Sequence, residues 1–478
     1  MIVSLEICAI ALYVAILFVI GYFSYKPKQT SDDFLLASRS LNYILTAMAA
    51  HASDMSTWLF MGFPALVYLK GLSGIYLAMG LLFFMFLNWM LVAPRLRIKT
   101  EAFNSLTISS FFESAYHDKA GYLRPVTAFI SLIFYTIYIS AGIMGLGLVL
   151  QTLFSINYLL AISIGVLIII PYLLIGGYKT LAWLDCFQAI FLLLVILVVP
   201  FIAFNSIGGM TPFLNGLKSH SSAFTQIIPA SSEGKLLAVA TFFSWGLGYF
   251  GQPHIITKFM GIKNPKEIKK SMMVGISWQA LTLAAAVFVG SVGVVFFTNT
   301  LLDPQMLFVF MVKDLFPPFL AAFILCAIIA ATVSTMDSQI LVLATCIVED
   351  LYRKVFKKDA DSKHLLKASR LCIIGISLVS FVIASFQFDT ILSIVYIAWA
   401  GLGASFGPVM LIALFSKKTS ALAALVSIIT GCVACLIFKI FSIQTTSLLI
   451  PAFILSFIAY YTTLLIQKIS TPTTLKRS

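Results

Sequence analysis

The stretch "HASDMSTWLF", residues 51–60, decides the fold, because it places an aspartate, two serines and a threonine inside a long apolar run. Side chains of Ser, Asp and Thr bond to their own backbone and so compete with helical hydrogen bonds. Unwound backbone at membrane depth is tolerated only where it is buried in protein or lines a cavity. Such a break offers carbonyl oxygens to cations and N–H groups to carboxylates. The stretch therefore predicts a broken helix that holds an ion or a polar solute.

The composition around this stretch is that of a polytopic membrane protein. Of the 478 residues, 60% are hydrophobic and 10% are charged, whereas a soluble domain has about 25% charged residues. Apolar stretches of about 20 residues, the length that spans a bilayer, recur from end to end. We expect the first to be retained as a span, because it lacks a basic leading segment and a cleavage site. The pattern predicts thirteen spans, near residues 3–25, 41–68, 72–95, 124–153, 156–178, 183–207, 234–259, 270–299, 317–348, 367–386, 390–415, 419–440 and 445–467.

The net charge of +13 follows the membrane topology and does not indicate a nucleic-acid partner. With the N-terminus outside, all but five of the 31 Lys and Arg residues fall on the cytoplasmic side. This bias predicts a multi-pass protein of the cell membrane with its C-terminus in the cytoplasm. The basic blocks 263–270 and 353–370 are then cytoplasmic loops, with contact to lipid headgroups as the alternative. No nucleotide-binding or zinc-protease motif is present, so we expect no enzymatic activity and no obligatory protein partner.

Most of the carboxylates lie in loops or at span ends, and three do not: Asp54, Asp185 and Asp337. Each ionisable group at mid-membrane costs about 2.5–3.5 kcal/mol on insertion scales, so each needs a partner or a function. Asp54 lies deep in its span, and a hydrogen bond to a neighbouring helix is the alternative to a functional role. Asp185 lies nearer the start of its span, so it is either interfacial or functional.

A second break is predicted at "SWGLGYFGQPHI", residues 244–255, where three glycines and a proline disfavour a continuous helix. A simple proline kink is the alternative. The two breaks begin the second and seventh spans. Their placement predicts two five-helix units, at 41–207 and 234–415, with one helix before them at 3–25 and two after them at 419–467.

A third polar cluster is "ATVSTMDSQI", residues 331–340, in the ninth span. Its Ser334, Asp337 and Ser338 lie at i, i+3 and i+4, so a helix places them on one face. Hydroxyl and carboxylate oxygens are hard ligands that suit an alkali cation. The alternative is that the hydroxyls bond between helices and only hold them together.

Aromatic residues lie beside the predicted breaks. In an apolar span such residues are ordinarily core or lipid-facing, but near two breaks they are expected to wall a small, mostly apolar pocket. They are Trp58, Tyr138, Trp245 and Tyr249.

The chain resembles the sodium/solute symporter family over residues 20–440, and within it the proline-transporting members. The motifs that carry the resemblance are "ASDMSTWLFMGFP" (52–64), "GGYKTLAWLDCFQA" (176–189), "GLGYFGQPHI" (246–255), "STMDSQ" (334–339) and "AWAGLGASFGPV" (398–409). The resemblance implies an all-helical, leucine-transporter-like fold with two inverted five-helix repeats.

The resemblance also implies the site residues. Sodium would be bound by the carbonyls of Ala52, Met55 and Ala331 and by the hydroxyls of Ser334 and Thr335. Asp54 would support sodium binding together with Ser56. The solute pocket would involve Ser56, Thr57, Trp58, Tyr138, Trp245, Tyr249 and Pro253. A second cation or a proton would be bound near Asp185, Asp337 and Ser338.

One departure bears on the solute. Thr57 stands where the proline-transporting relatives have glycine, and a side chain there is expected to narrow the pocket.

These features predict a sodium-coupled symporter that imports a small zwitterionic solute, with L-proline as the first choice, by alternating access. Its partners are then Na+, the solute and the lipid bilayer. The alternatives within the family are another amino acid, a monocarboxylate, or coupling to protons. The alternatives from other classes are a membrane sensor and a channel.

Overall fold

The computed structural model describes residues 5–24, 37–175, 177–220, 222–356, 362–441 and 447–470. These residues are almost entirely helical, and the single extended pairing among them is an isolated bridge between Leu41 and Ile262, so the predicted all-α class is confirmed. The α-helices are α1 (Leu5–Ser24), α2 (Tyr43–Ala52), α3 (Gly62–Lys70), α4 (Ile75–Leu87), α5 (Ala93–Ala102), α6 (Ile108–Ala115), α7 (Leu123–Phe154), α8 (Tyr158–Ile175), α9 (Tyr178–Ser206), α10 (Met210–His220), α11 (Ser232–Leu247), α12 (Pro253–Met260), α13 (Ile268–Phe296), α14 (Leu307–Leu315), α15 (Pro318–Thr345), α16 (Ser362–Ser385), α17 (Ile391–Phe415), α18 (Ala421–Ile440) and α19 (Leu449–Ser470).

Ten helical stretches of the described chain are long and apolar enough to cross a membrane. They match ten of the thirteen predicted spans. The other three predicted spans correspond to α8, to the half-helices α11 and α12, and to the half-helices α2 and α3, of which α3 belongs to the long stretch Thr57–Ala102 that also contains the third predicted span. The number thirteen and the division into two five-helix repeats therefore stay predictions.

The first break separates α2 from α3. The Asn42 side chain caps the start of α2 by accepting from the Leu45 N–H at 2.9 Å. The helix ends at Ala52, and Ser56 is extended, with φ −89° and ψ −162°. A single 3-10 turn over Thr57–Leu59 then leads into α3. The chain is thus unwound at the position that the polar cluster predicts.

The second break separates α11 from α12. A 3-10 turn over Gly248–Gly251 is followed by an extended Gln252, and Pro253 begins α12 at a position where a backbone N–H would be unpaired. Gly251 is required by close approach, because a Cβ there would lie 2.6 Å from the Leu402 carbonyl oxygen of α17. The break therefore packs directly on the α17 backbone.

Two long helices support the breaks. α15 packs against α1, α7 and α9 and contacts the turn of the first break, whereas α17 packs against the turn of the second break and against α7. Both helices are buried over most of their length. The two breaks thus lie in the protein interior, on buried helices that place their side chains.

Between α4 and α5 the helix contains one π-helical turn, Asn88–Val92, in which the Ala93 N–H bonds to the Asn88 carbonyl. This turn lies in the third predicted span and was not expected from the sequence. The first two residues of this turn, Asn88 and Trp89, are fully buried.

A candidate ion and solute site between the two helix breaks

Four oxygen atoms converge where the end of α2 meets α15. The Ser334 hydroxyl lies 3.0 Å from the Ala52 carbonyl oxygen and 3.1 Å from the Ala331 carbonyl oxygen, so its one hydrogen can be donated to either. The Thr335 hydroxyl lies 3.4 Å from the Ala52 oxygen and 3.1 Å from the Ala331 oxygen. The structure therefore brings together four of the five residues of the predicted sodium shell. Met55, the fifth, is buried in the same break, three residues after Ala52.

The chemistry of these four atoms fits a sodium ion. All are hard, neutral oxygens, which are the ligands that alkali and alkaline-earth cations prefer. A hydroxyl has two lone pairs and a rotatable hydrogen, so Ser334 and Thr335 can turn from donors to the carbonyls into ligands of a cation. Both residues are fully buried, so a cation bound there is shielded from water.

Asp54 connects the first break to the second. One of its carboxylate oxygens accepts a hydrogen bond from the Tyr249 hydroxyl, which in turn accepts from the Gln279 amide at 2.8 Å. The other carboxylate oxygen is buried and has no hydrogen-bond partner among the described residues. No described Lys or Arg forms an ion pair with Asp54. A buried carboxylate requires charge compensation, and a cation bound at the break would provide it.

A cluster of aromatic rings lies beside this carboxylate. The Trp245 ring lies 6.1 Å from the Trp58 ring, 6.2 Å from the Trp399 ring and 5.0 Å from the Tyr396 ring, between centroids. The Tyr249 ring meets the Trp399 ring edge-on at 5.0 Å. The structure thus brings Trp58, Trp245 and Tyr249 together as predicted residues of one wall, and it adds two aromatic residues of α17.

Several buried polar atoms near this wall have no hydrogen-bond partner in the described part of the chain. They include the hydroxyls of Ser56 and Tyr138 and the side-chain oxygen of Gln252. Tyr138 packs edge-on against the His254 ring at 6.0 Å, which places it beside α12. Pro253, the residue before His254, accepts a hydrogen bond from the Thr257 hydroxyl. Buried polar atoms are rarely left unpaired, so these atoms are suited to bind a polar ligand.

Thr57 has a different environment from the other predicted pocket residues. Its hydroxyl accepts from the Thr332 hydroxyl at 3.3 Å. Its methyl group packs on Gly145 of α7, so closely that a Cβ at position 145 would overlap it. The structure therefore places the Thr57 side chain at the contact of the first break with α7 and α15.

The residues predicted for a second cation or a proton have three separate environments. Asp185 forms a buried ion pair with Lys258 of α12, at 3.0 Å between carboxylate oxygen and ammonium nitrogen. The Ser338 hydroxyl lies 2.9 Å from the Ser53 hydroxyl of the first break. Asp337 is fully buried, and neither of its carboxylate oxygens has a described hydrogen-bond partner. Among the described residues, Asp185 has a cationic partner and Asp337 has none.

Three side chains that are not among the predicted site residues support the second break. Gln252 donates to the Trp399 carbonyl at 3.0 Å, and Asn88 donates to the Tyr249 carbonyl at 3.3 Å. The Tyr135 hydroxyl accepts from the His254 backbone N–H at 2.8 Å. Asn88 was detectable, because it is the one strongly polar residue within "FFMFLNWMLV", residues 83–92.

Comparison with known proteins gives one consistent family. A model of the sodium:solute symporter family matches residues 34–431. The chain is 38% identical over 416 residues to the high-affinity proline transporter PutP of Bacillus subtilis, covering 86% of this chain and 87% of that protein. It is 34% identical to the osmoregulated proline transporter OpuE of the same organism, covering 95% and 94% of the two chains. It is 35% identical to sodium/proline symporter 2 of Staphylococcus saprophyticus, covering 95% and 91%.

Two solved structures share the fold. One is a Na+-coupled sialic acid symporter in a substrate-bound, outward-open state, with a TM-score of 0.80 at 17% identity over 97% of this chain and 98% of that one. The other is Mhp1, a nucleobase-cation-symport-1 family transporter, with a TM-score of 0.60 at 13% identity over 94% and 97% of the two chains. These likenesses confirm the expected leucine-transporter-like fold.

Proposed function

The chain belongs to the sodium:solute symporter family, and from that membership we propose that it is a sodium-coupled symporter that imports L-proline. The observation that carries the ion half of the proposal is the convergence of the Ser334 and Thr335 hydroxyls on the Ala52 and Ala331 carbonyls. These atoms belong to two different elements, the end of α2 and the middle of α15. A sodium ion among them therefore joins the first break to α15.

Two observations support L-proline as the solute: the relatives are proline transporters, and an aromatic wall lies beside the first break. The three relatives are proline transporters. The tilted Trp58 and Trp245 rings and the edge-on Tyr249 and Trp399 rings form a wall that suits the methylene groups of the pyrrolidine ring of proline. The unpaired hydroxyls of Ser56 and Tyr138 are available to the ammonium and carboxylate groups of a zwitterion.

The hydrogen bond between Tyr249 and Asp54 connects the two halves of the site. Sodium at the first break stabilises the backbone around Asp54, and this carboxylate then holds Tyr249 in the pocket wall. Sodium thus favours solute binding, and by thermodynamic linkage the solute favours sodium binding by the same factor. A membrane potential of 100 mV contributes about 2.3 kcal/mol per charge, and a tenfold sodium gradient contributes about 1.4 kcal/mol. One sodium ion therefore sustains a solute gradient of roughly several hundred-fold.

The membrane arrangement is part of the same proposal. The N-terminus lies outside and the C-terminus in the cytoplasm, so the basic segments between spans face the cytoplasm. The two five-helix repeats, 41–207 and 234–415, each begin with a broken helix. Broken helices at corresponding positions of two repeats are the arrangement expected of a carrier whose site lies at mid-membrane.

The number of coupled cations depends on Lys258. Its ammonium group neutralises Asp185 at 3.0 Å, and both side chains are buried. We propose that this internal cation makes a second sodium ion at Asp185 unnecessary and that one sodium ion is transported per solute. The Hill coefficient for sodium is then 1 in the parent protein. In Lys258→Met, sodium is expected to take the place of the ammonium group, which raises the coefficient toward 2, and an unchanged coefficient in the folded variant contradicts this part of the proposal.

Asp337 supports proton coupling as the second candidate. It is a fully buried carboxylate without a described hydrogen-bond partner, and protonation is the simplest way to stabilise it there. Proton coupling at this residue predicts that Asp337→Asn abolishes a response of transport to an imposed pH gradient. If the parent protein shows no such response, this candidate is excluded.

Uptake by proteoliposomes containing the purified protein tests the proposal. The solutes are radiolabelled L-proline, a second amino acid and a monocarboxylate, and sodium, lithium and proton gradients are imposed in turn. The expected result is saturable L-proline uptake that requires sodium. Uptake that does not saturate indicates a channel, no uptake of any solute indicates a sensor, and uptake that follows only the proton gradient contradicts sodium coupling.

A further inference from the structure

The π-helical turn Asn88–Val92 is a feature that the proposed transport mechanism does not yet use. Its wider hydrogen-bond spacing is defined by the bond from the Ala93 N–H to the Asn88 carbonyl, five residues earlier. Such turns are rare and occur frequently at functional sites. The extra residue changes the face that the following helical turns present to their neighbours. A π-turn inside a predicted span therefore calls for a functional or packing reason.

Asn88 connects this turn to the second break. Its side-chain amide donates to the Tyr249 carbonyl at 3.3 Å, and the residue is fully buried. Tyr249 lies within the 3-10 turn Gly248–Gly251, where its carbonyl is not committed to a regular helix. The Asn88 amide therefore fixes the backbone of the residue whose hydroxyl reaches Asp54.

Trp89, the next residue, connects the same turn to the first break. Its indole N–H donates to His51 Nε2 at 3.0 Å, and both rings are fully buried and nearly parallel, at 14°. An indole N–H is only a donor, so His51 Nε2 must be the acceptor and the imidazole is neutral, with its hydrogen on Nδ1. The His51 carbonyl accepts from the backbone N–H groups of Asp54 at 3.2 Å and Met55 at 3.3 Å. Trp89 therefore holds His51, the residue before the last residue of α2, whose carbonyl accepts from the unwound segment.

These contacts form a closed circuit. It runs from Trp89 to His51, along the backbone to Asp54, from the Asp54 carboxylate to Tyr249, and from the Tyr249 carbonyl back to Asn88. Two consecutive residues of a helix point about 100° apart. Asn88 and Trp89 thus reach two different broken helices from one position.

We propose that the π-turn Asn88–Val92 couples the two breaks, so that Asn88 and Trp89 are positioning residues that transmit sodium binding to the solute pocket. The inference rests on the proposed function, because it assigns these residues to the cooperativity of a sodium-coupled symporter. Their side chains bond to the Tyr249 backbone and to His51, and no described hydrogen bond joins either side chain to a predicted sodium ligand. We therefore expect their main effect to be on the coupling between the two ligands.

Trp89→Phe and Asn88→Leu test this inference, since each removes one donor of the circuit and keeps a side chain of similar shape. The measurements are the dissociation constant of labelled L-proline at zero and at saturating sodium, and that of sodium with and without L-proline, on the purified protein. For each ligand, the coupling factor is its dissociation constant without the other ligand divided by its dissociation constant with the other ligand. This factor is typically about 5 to 150. Each variant is expected to lower this factor at least fivefold. The double variant is expected to lower it no further, because both residues act in one circuit.

Trp278→Phe is the matched control. It also removes a buried indole donor, whose acceptor is the Ala189 carbonyl of α9 at 3.0 Å, outside both breaks. Its ring packs on His51 at 6.1 Å between centroids, and phenylalanine keeps an aromatic ring at that position. The control is expected to keep the coupling factor of the parent protein.

The inference is overturned if folded Trp89→Phe keeps the parent coupling factor, or if Trp278→Phe lowers the factor equally. Should Asn88→Leu fail to fold, Trp89→Phe decides alone, because it retains the ring and its packing on Phe259. Failure of the proposed function has a different signature, which is a parent protein whose L-proline affinity does not depend on sodium at all.

Discussion

Replacing Ser334 by alanine should weaken sodium binding by one to two orders of magnitude. The Ser334 hydroxyl lies 3.0 Å from the Ala52 oxygen, closer than the Thr335 hydroxyl at 3.4 Å, and both hydroxyls lie 3.1 Å from the Ala331 oxygen. Loss of a hydrogen bond or ligand contact to a charged group costs about 1.5–3 kcal/mol. At about 1.4 kcal/mol per tenfold change, this corresponds to a roughly 10- to 150-fold increase in the sodium dissociation constant.

Thr335→Val should also raise the sodium dissociation constant, but by less than Ser334→Ala does. The Thr335 hydroxyl lies 3.4 Å from the Ala52 oxygen, 0.4 Å farther than that of Ser334 (3.4 minus 3.0). The shorter distance to Ala52 is therefore the reason to expect a larger loss of sodium affinity in Ser334→Ala than in Thr335→Val. Ser291→Ala is the matched control, since its buried hydroxyl bonds to the Val287 carbonyl one turn earlier in α13.

The assay is a sodium titration of labelled solute binding by each purified variant. The maximal transport rate should recover in part at high sodium, because the carbonyl ligands remain. If Ser334→Ala is folded and its sodium dissociation constant lies within twofold of the parent value, the placement of the ion between α2 and α15 is wrong.

Three further substitutions test other parts of the site. Asp54→Asn should weaken sodium binding more than tenfold and slow transport at saturating solute, because it removes the buried charge that faces Tyr249; a stable variant with normal sodium affinity in the same titration removes Asp54 from the mechanism. Trp245→Ala should lower solute affinity by about 1–3 kcal/mol while sodium affinity without solute is unchanged, and equilibrium binding that shows the reverse contradicts the assignment. Thr57→Gly should lower the free energy of unfolding by about 1–3 kcal/mol with little change in solute affinity, since the Thr57 methyl packs on Gly145. The double variant Thr57→Gly, Gly145→Ala should recover part of the thermal stability. A large gain in solute affinity from Thr57→Gly alone indicates instead that Thr57 narrows the pocket.

The two helix breaks were predictable because they have a local signal in the sequence. Polar residues such as Asp54 are costly in an apolar span, so their presence marks the position where the helix unwinds. Helical periodicity places Ser334, Asp337 and Ser338 on one face of α15 and Thr335 about 100° away on an overlapping edge. The resemblance to the family, and not this periodicity, implied that Ser334 and Thr335 bind the same ion.

The contacts between distant segments were not predictable in the same way. Lys258 lies in α12 and Asp185 in α9, so no local pattern shows that they pair. The direction of the Thr57 side chain depends on the space that Gly145 leaves on α7. The π-turn at Asn88 lies in an apolar run that is compatible with a regular helix, and its tertiary partners are His51 and Tyr249, which the sequence does not place beside it.

The most direct test of sodium-driven transport is the membrane potential at which net L-proline flux is zero. Proteoliposomes with fixed sodium and proline gradients are held at a series of potentials set by potassium and valinomycin, and flux is followed in both directions. Coupling of one sodium ion to one proline predicts that a tenfold change in the sodium gradient shifts this potential by about 59 mV, which corresponds to the 1.4 kcal/mol of a tenfold concentration ratio. A zero-flux potential that does not change with the sodium gradient would contradict the account.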